Sequence, residues 1–314
     1  MSVRVSVVIP TFNRSDDIAA LLMDISAQSE KDIEVVAVDD GSDESHLLHY
    51  QELMRKHGER FRFIEKDPSD KSKGPGAARN RGMVASQGRF IAFCDDDDRW
   101  IRTDHLEIAC DSMDASGADM FWADLQTHHG DEVLNQGMYG SFSMLRRRRA
   151  PGFQDIFEVD HNALSQFLRH RIISCDSLVV KKALVDVSGH YWEHLRFAED
   201  HDFCFRVADA SRKALYRNVP TASANVSQHV SVARSIDARD RLLYGIMALN
   251  HAEAVLSDER LIATARANRS WKLLELSEIM ASSKNKGAAR RLVWESFFVK
   301  PSLAGMARCL RTIW

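Results

Sequence analysis

The sequence has little of what marks secreted or membrane-spanning proteins. Its cysteines are scattered, with no CxxC pair and an odd total of five: Cys94, Cys110, Cys175, Cys204 and Cys309. Single cysteines of this kind favour reduced thiols over a disulfide framework. No apolar stretch reaches roughly 18 residues, and the N-terminus runs into a strand pattern without a signal-peptide region. These absences predict a cytoplasmic protein without a membrane-spanning helix.

An excess of positive charge is also missing. The formal net charge of the 314 residues is −3, which argues against nucleic acid as a partner. Hydrophobic residues make up 45% of the chain and charged residues 28%, the balance of an ordinary globular protein. This length suits either one large α/β domain or a domain of about 220 to 250 residues followed by an extension.

The first hundred residues alternate between strand and helix patterns. Apolar, β-branched runs predict strands over 5–10, 32–42, 61–65 and 89–94. Helices are predicted after Ser15, around 44–57 and from the glycine-rich stretch 74–88. Such alternation indicates parallel strands with helices on both faces, and ligands of such sheets gather beyond the carboxyl ends of the strands. The polar segments Pro10–Arg14, Asp39–Ser42 and Asp95–Asp98 all follow strands, so we expect them to converge on one site.

The second half of the sequence is less regular. Strands are predicted over 118–126, 176–182 and 213–219, with a helix over 198–210 and a long loop over 130–160. From about residue 237 the pattern is mostly helical.

The segment FIAFCDDDDRW, residues 90–100, carries four consecutive aspartates, Asp95–Asp98, here called the aspartate turn. Unit charges about 4 Å apart repel by roughly 4 kcal/mol at an effective dielectric constant near 20. A solvated acidic turn is the simpler interpretation. However, the cluster lies between a buried strand and Trp100, and Mg²⁺ or Mn²⁺ bridging a diphosphate would offset the repulsion. The context therefore favours a metal site.

Two further segments have a local and a functional interpretation. DDGS, residues 39–42, is typical of a turn or helix cap, but its carboxylate is also suited to accept from a nucleotide base or ribose. GAARN, residues 76–80, opens a helix, where backbone N–H groups and Arg79 suit a phosphate; a solvated surface arginine is the alternative.

In order along the chain, SVVIPTFNR, VAVDDGS and GAARNRGMVASQGRFIAFCDDDDRW resemble the nucleotide-sugar-binding half of family 2 glycosyltransferases with the GT-A fold. The similarity is close over residues 3–100 and looser to about residue 235. It implies a Rossmann-like α/β domain over 1–236, with a mixed sheet flanked by helices. Within it, 1–100 would form the nucleotide-sugar-binding half and 101–236 the acceptor half, and 237–314 would be a helical extension.

The resemblance also implies roles for individual residues. Nucleotide-sugar contacts are implied for Pro10, Thr11, Phe12, Asn13, Arg14, Asp39, Asp40, Arg79, Asp95 and Asp96. Asp40 would accept from the base with support from Asp39, and either Asp95 or Asp96 would meet the ribose. Asp97, with Asp95, would bind Mg²⁺ or Mn²⁺. His229 resembles a late histidine that completes the metal or phosphate site in some relatives, although a lone histidine is more often structural.

An inverting sugar transfer also needs a carboxylate base for the acceptor hydroxyl. FAEDHDF, residues 197–203, is similar to the acidic segment of the family, which nominates Asp200 as the base with Glu199 beside it. Acids that favour the helix macrodipole are the structural alternative. Asp202 is a rival by adjacency and would project from a different helix face.

The implied activity is transfer of one sugar from a nucleotide diphosphate sugar, expected to be UDP-linked, to a carbohydrate or lipid-linked saccharide. Absence of QxxRW near residues 225–240 favours single addition over polymerisation. A non-catalytic nucleotide-sugar-binding protein of the same fold is the alternative. A nucleotidyltransferase is disfavoured, because the lysine-bearing, glycine-rich signature is missing after the first strand.

Two basic regions remain. The run Arg146–Arg149 is either a solvated loop or a contact for a lipid pyrophosphate or anionic headgroups. Residues 284–314 hold seven basic residues and one acid, a local charge of +6, interleaved with aromatic and aliphatic residues. That composition suits an anionic membrane surface at the inner face of the cytoplasmic membrane, whereas a terminal helix packed on the domain is the alternative. Pro301 limits this segment to two helices at most.

Overall fold

The computed structural model describes residues 3–66, 73–130, 132–226 and 236–311. These residues form a single mixed sheet of 11 strands. The strands are β1 Val5–Thr11, β2 Ile33–Asp39, β3 Phe61–Ile64, β4 Phe90–Phe93, β5 Arg99–Trp100, β6 Met120–His129, β7 Glu132–Asn135, β8 Arg148–Arg149, β9 Ile156–Val159, β10 Val179–Lys181 and β11 Ala214–Asn225. Their order is β3-β2-β1-β4-β10-β6-β11-β9-β8, with β5 paired to β11 and β7 paired to β6.

Helices cover the sheet and continue beyond it. They are α1 Ser15–Ser26, α2 Glu44–His57, α3 Pro75–Ala85, α4 His105–Ser116, α5 His161–Leu168, α6 Lys182–Ser188, α7 Glu199–Ala210, α8 Ala238–Val255, α9 Glu259–Ser282, α10 Lys286–Val299 and α11 Leu303–Arg311. Short 3₁₀ turns occur at Ser143–Arg146 and Cys175–Ser177.

The strands β1 to β4 pair in parallel, as the sequence predicts. β1 pairs in parallel with β2 and β4, and β2 pairs in parallel with β3. Every residue of β1 is buried, because helices lie on both faces of this part of the sheet. The packing is close at Gly82 of α3, where a Cβ atom would collide with the side chain of Val8. This contact fixes α3, and therefore Arg79, against the strand.

The second half departs from the predicted pattern. β10 runs antiparallel to both β4 and β6, while β6 and β11 are parallel. The predicted loop over 130–160 was wrong, because it contains β7, β8 and β9. These strands are two to four residues long and depend on pairing with distant partners, so their local sequence signal is weak. β11 also extends past Pro220 to Asn225, with register shifts around the proline.

The C-terminal extension packs against the α/β domain. Leu249, Ala252 and Leu261 of the extension belong to the same buried cluster as the residues around the sheet. The predicted break at Pro301 is confirmed, since α10 ends at Val299 and α11 begins at Leu303. Within the described ranges, no helix combines the length and apolarity needed to cross a bilayer.

Candidate active site

A cleft of about 480 Å³ opens at the carboxyl ends of β1, β2 and β4. That volume lies within the range of pockets that hold small molecules. Its walls come from seven stretches of the chain. They are Pro10–Arg14 without Asn13, Asp40, Gly74 and Pro75 with Arg79, the aspartate turn, Cys175, Arg196–Asp200, and Ala224 with Asn225. The three polar segments predicted to converge therefore do so.

The loop after β1 divides its residues between the cleft and the scaffold. Phe12 is half exposed and lines the cleft, as does Arg14. Asn13 adopts a positive φ of 53°, and its side chain exchanges hydrogen bonds with Asp43. Its backbone N–H donates to Ser42 Oγ at 2.8 Å. Asn13 thus shapes the loop, and it is absent from the described cleft wall.

The two aspartates at the end of β2 have different roles. Asp39 is buried and accepts from the backbone N–H groups of Gly41 and Ser42 at 2.8 and 3.0 Å, so its carboxylate holds the turn. Asp40 lines the cleft and accepts from the backbone N–H of Gly74 at 2.9 Å. Of this pair, Asp40 is the one placed to meet a ligand.

Each carboxylate of the aspartate turn has a partner, and Asp96 and Asp97 share Arg14. Asp95 accepts from Arg79 Nη2 at 2.5 Å, and Asp97 Oδ2 lies 2.8 Å from Arg14 Nη1. Asp96 accepts from Thr11 Oγ1 at 2.7 Å and from Arg14 Nη1 at 2.9 Å. Asp98 accepts from the backbone N–H of Asn225 at 2.7 Å. These contacts offset much of the repulsion among the four charges.

The compensation is incomplete. Burial raises the pKa of Asp96 to about 7, although the nearby Arg14 guanidinium opposes the shift. Burial also raises the pKa of Asp97 to about 6, with Arg14 lowering it and Asp95 raising it. Side chains of Asp95 and Asp97 keep 36% and 23% of their exposure and face the cleft. Two accessible carboxylates with residual repulsion are a fitting donor set for Mg²⁺ or Mn²⁺.

The acids at the start of α7 point in different directions. Glu199 is buried and accepts from Arg79 Nη1 at 3.0 Å. Asp200 lines the cleft, and burial raises its pKa while Arg79 opposes the shift. Asp202 is fully buried, accepts from Arg206 Nη2 at 2.7 Å and lies 2.6 Å from His251 Nδ1. It projects from another face of the helix, as predicted, and does not reach the cleft.

The backbone is unusual where this helix meets the cleft. Ala198, the residue before Glu199, has a φ of 61° in the left-handed region and lies in the cleft wall. Non-glycine residues rarely adopt this conformation, and such strain is concentrated at functional sites. The turn at Ala198 is what directs the next residues of α7 into the site.

Arg79 connects the two acidic segments. Its guanidinium donates to Asp95 and Glu199, which are separated by about a hundred residues in sequence, and its side chain is almost fully buried. It also lies over the ring of Tyr191, 5.3 Å from the centroid. With both terminal nitrogens engaged by carboxylates, Arg79 joins the aspartate turn to the start of α7.

Sequence reasoning missed residues that come from distant segments. Cys175 and Asp176 belong to a 3₁₀ turn behind the aspartate turn, where the sequence predicted a strand. The Asp95, Cys175 and Asp176 side chains lie close enough together to share an ion. Arg196 and Phe197 also line the cleft. Their only signal in the sequence is proximity to the acidic start of α7.

Other predicted contacts lie elsewhere. His229 falls outside the described residues. The Arg146–Arg149 run is exposed at the sheet edge, where Arg148 pairs with Glu158 at 2.9 Å. Charged side chains on an edge strand discourage pairing with other chains. Arg146 and Arg149 border a separate depression together with Phe157 and Asn218.

Comparison of the sequence with known protein families gives a match. Residues 6–174 match the model of "Glycosyl transferase family 2". A cholesterol galactosyltransferase of Borreliella burgdorferi is 32% identical over 117 residues, which are 37% of this chain and 31% of that protein. The matched segment is thus about a third of that relative's length.

Solved structures share the fold over nearly the whole chain. Staphylococcus aureus TarS 1–349, in complex with UDP-GlcNAc, superimposes with a TM-score of 0.63 at 19% identity, covering 98% of this chain and 79% of that one. The mannosyltransferase PcManGT of Pyrobaculum calidifontis, in complex with GDP-Man and Mn²⁺, gives a TM-score of 0.56 at 16% identity, with 98% and 79% coverage. With more than half of its residues matched by the family model and a GT-A architecture throughout, the chain belongs to glycosyl transferase family 2.

Proposed function

We propose that the protein is an inverting glycosyltransferase that moves one sugar from a UDP-linked donor to an acceptor hydroxyl. The observation that carries this proposal is the double ion pair of Arg79 with Asp95 and Glu199. It holds the aspartate turn, suited to a metal and a diphosphate, beside Asp200, suited to act as a base. A donor bound between these two segments has its anomeric carbon near the base.

In this mechanism Asp200 takes the proton from the acceptor hydroxyl. The acceptor oxygen attacks the anomeric carbon as the bond from that carbon to the diphosphate oxygen breaks, and the electron pair leaves with the diphosphate. The raised pKa of Asp200 suits a base, since proton transfer is most effective when the pKa lies near the working pH. Attack opposite the leaving group inverts the configuration.

The leaving diphosphate needs positive charge. A divalent cation, when bound, would neutralise the charge that develops there, and Asp97 with Asp95 would hold it. Arg14 pairs with Asp97 and with the neighbouring Asp96, and adds a fixed positive charge at this end of the cleft. The Mn²⁺ in the PcManGT complex supports this choice of cofactor.

Asp40 and Phe12 are proposed to contact the nucleotide. Asp40 is an acceptor just after β2, and Phe12 offers a half-exposed ring in the wall of the same cleft. The UDP-GlcNAc complex of TarS supports a UDP-linked donor, while the GDP-Man complex of PcManGT makes GDP the competing nucleotide.

Release of nucleotide diphosphate from a panel of UDP- and GDP-linked sugars, with Mn²⁺ and candidate acceptors, tests the proposal. We expect turnover with a UDP-sugar and an inverted anomeric product by NMR. Turnover only with GDP-sugars would exclude the UDP assignment. Tight binding of a UDP-sugar, with no transfer or hydrolysis under any condition, would instead favour a non-catalytic nucleotide-sugar-binding protein.

We further propose a lipid-linked acceptor met at an anionic membrane surface. The B. burgdorferi relative, described as a cholesterol galactosyltransferase, supports a lipid acceptor. Within the extension we place this surface on α11, and Phe298 near the end of α10 is exposed as well. α10 packs on α9 through Leu292 and Val299, whereas Leu303, Met306 and Leu310 form an exposed stripe on α11. Each basic residue near an anionic surface contributes about 1 kcal/mol, and Arg308 belongs to the same helix.

Vesicle co-sedimentation tests this surface. We expect the protein to bind phosphatidylcholine vesicles that contain phosphatidylglycerol, less so at high salt, and to lose binding when Leu303, Met306 and Leu310 are all changed to Ser. Val133→Ser with Leu134→Ser, which alters exposed apolar residues on β7, is the matched control. Unchanged binding by the α11 variant would exclude α11 as the membrane contact.

A further inference from the structure

Two buried carboxyl groups, Asp98 in the aspartate turn and Asp176 behind it, take no part in the proposed chemistry. Asp98 and Asp176 are 7% and 3% exposed, and their carboxyl groups interact with each other. Burial raises the pKa of both groups, Asp176 further raises the pKa of Asp98, and Asp95 further raises the pKa of Asp176.

This pair joins three parts of the chain. Asp176 Oδ1 accepts from the backbone N–H of Asp95 at 2.9 Å, and its Oδ2 accepts from Ser174 Oγ at 2.5 Å. Its backbone carbonyl accepts from Trp100 Nε1 at 2.8 Å. Asp98 in turn accepts from the backbone N–H of Asn225 at the end of β11.

The contacts fix both ends of the aspartate turn. Asp176 holds the backbone of its first residue, and Asp98, its last residue, is held by Asp176 and Asn225. The side chains of Asp95 and Asp97, which face the cleft, leave from the backbone between these anchors. A shift of about 1 Å in such a segment is enough to disturb a binding geometry.

We propose that Asp176 is a positioning residue that aligns the aspartate turn for binding of the donor diphosphate. This inference rests on the proposed function, because it assumes that Asp95 and Asp97 meet the donor and its metal. Asp176 touches neither the cleft nor the proposed base, so it acts through the backbone of Asp95 and through Asp98. The role depends on hydrogen-bonding shape and not on negative charge at Asp176.

That distinction makes the conservative variant informative. Asp176→Asn retains an oxygen to accept from the Asp95 N–H and gains an N–H group that can donate to an ionised Asp98. Asp176→Ala removes both contacts. A positioning role therefore predicts that the Asn variant retains most of the affinity for UDP that the Ala variant loses.

Binding of UDP, measured by calorimetry with Mn²⁺ and with EDTA, is the readout, because it does not depend on turnover. Partners that orient ligating side chains typically contribute about 10- to 100-fold in affinity. We expect Asp176→Ala to weaken UDP binding in Mn²⁺ by that factor, with Asp176→Asn within about threefold of the wild type. Asp98→Ala should also weaken binding, since it removes the other member of the pair.

Glu34→Ala is a matched control. Glu34 is a buried carboxylate that accepts from a backbone N–H and a serine hydroxyl, those of Gln87 and Ser6, at the opposite end of β2. It should lose stability but keep the affinity for UDP. This contrast separates a local effect on the aspartate turn from general destabilisation.

Wild-type affinity for UDP in folded Asp176→Ala overturns the inference, as does an equal loss in the Asn and Ala variants. If Asp176→Ala does not fold, Asp98→Ala decides the question, and wild-type affinity there overturns it. If the proposed function itself is wrong, the binding experiment gives a different result. In that case the wild-type protein itself binds no UDP, or Asp97→Asn leaves Mn²⁺-dependent binding unchanged.

Discussion

The chain has two acidic segments that look alike in sequence and are built alike in space. The aspartate turn and the start of α7, Glu199–Asp202, each send some carboxylates to the cleft and others into the scaffold. Asp97 and Asp200 line the cleft, whereas Asp98 is nearly buried at the cleft wall and Asp202 is fully buried, each with a partner from another part of the chain. Adjacent acids in sequence are therefore not one functional unit, since each has its own partner and its own task.

The segments differ in what compensates their charge. The aspartate turn relies on two arginines and backbone N–H groups, and two of its members keep raised pKa values of about 7 and 6. At the start of α7, Glu199 shares Arg79 and Asp202 has Arg206 to itself. The ionised forms of the first segment are therefore incompletely compensated, and a bound cation would stabilise them. The second leaves Asp200 as the member suited to take a proton.

Substitution of the proposed base should have the largest effect on transfer. Asp200→Asn removes the proton acceptor, so we expect the transfer rate to fall by about 10²- to 10⁴-fold with donor affinity within a few-fold by calorimetry. In the wild type the acid limb of the rate profile should lie above the ordinary aspartate pKa of about 3.9, because burial raises the pKa of Asp200 and activity falls as it is protonated. Collapse of donor binding would instead make Asp200 a donor-site residue.

Asp97→Asn should have the next largest effect. Loss of a group that stabilises the leaving diphosphate commonly costs about 10²- to 10³-fold, and EDTA should abolish turnover of the wild type. The raised pKa of Asp97 means that folding disfavours its ionised form, so without metal the Asn variant should melt no lower than the wild type. Full activity in EDTA would exclude the metal assignment.

Glu199→Gln should have an intermediate effect. The glutamine keeps the shape of Glu199 but loses its charge toward Arg79, which then holds Asp95 alone. Loss of such an orienting partner typically costs about 10- to 100-fold. Steady-state kinetics at varied Mn²⁺ concentration should show this loss, and a wild-type rate would mean that Arg79 needs only Asp95 to stay in place.

Asp202→Asn should have the smallest effect on catalysis and a large one on stability. It leaves the buried Arg206 guanidinium without its carboxylate, and breaking a buried pair in this way costs about 3 to 5 kcal/mol of unfolding free energy. Chemical denaturation measures that loss, with Asp186→Asn on the exposed side of α6 as the control. A loss of transfer rate per folded molecule as large as that of Asp200→Asn would make Asp202 the better candidate for the base.

Much of the first half could be predicted from the sequence. β1, β2, β3 and β4 are continuous apolar runs, and the polar segments that follow them must meet at one edge of a parallel sheet. The extended helices after residue 237 and the break at Pro301 also follow from local patterns. In each case the residues that determine a strand, a helix or a break lie within that element or next to it in the sequence.

Tertiary structure alone decided which acidic residues meet the cleft. Arg79 bridges Asp95 and Glu199, and Asp176 holds the backbone of Asp95 from 81 residues away. The short strands between residues 130 and 160 likewise exist only because they pair with β6, β9 and β11. A pattern of residue types records propensity and burial, but a hydrogen bond between distant side chains depends on how whole elements pack. The sequence by itself therefore determined the family of the protein and the edge of the sheet that carries its site, while packing determined the task of each carboxylate.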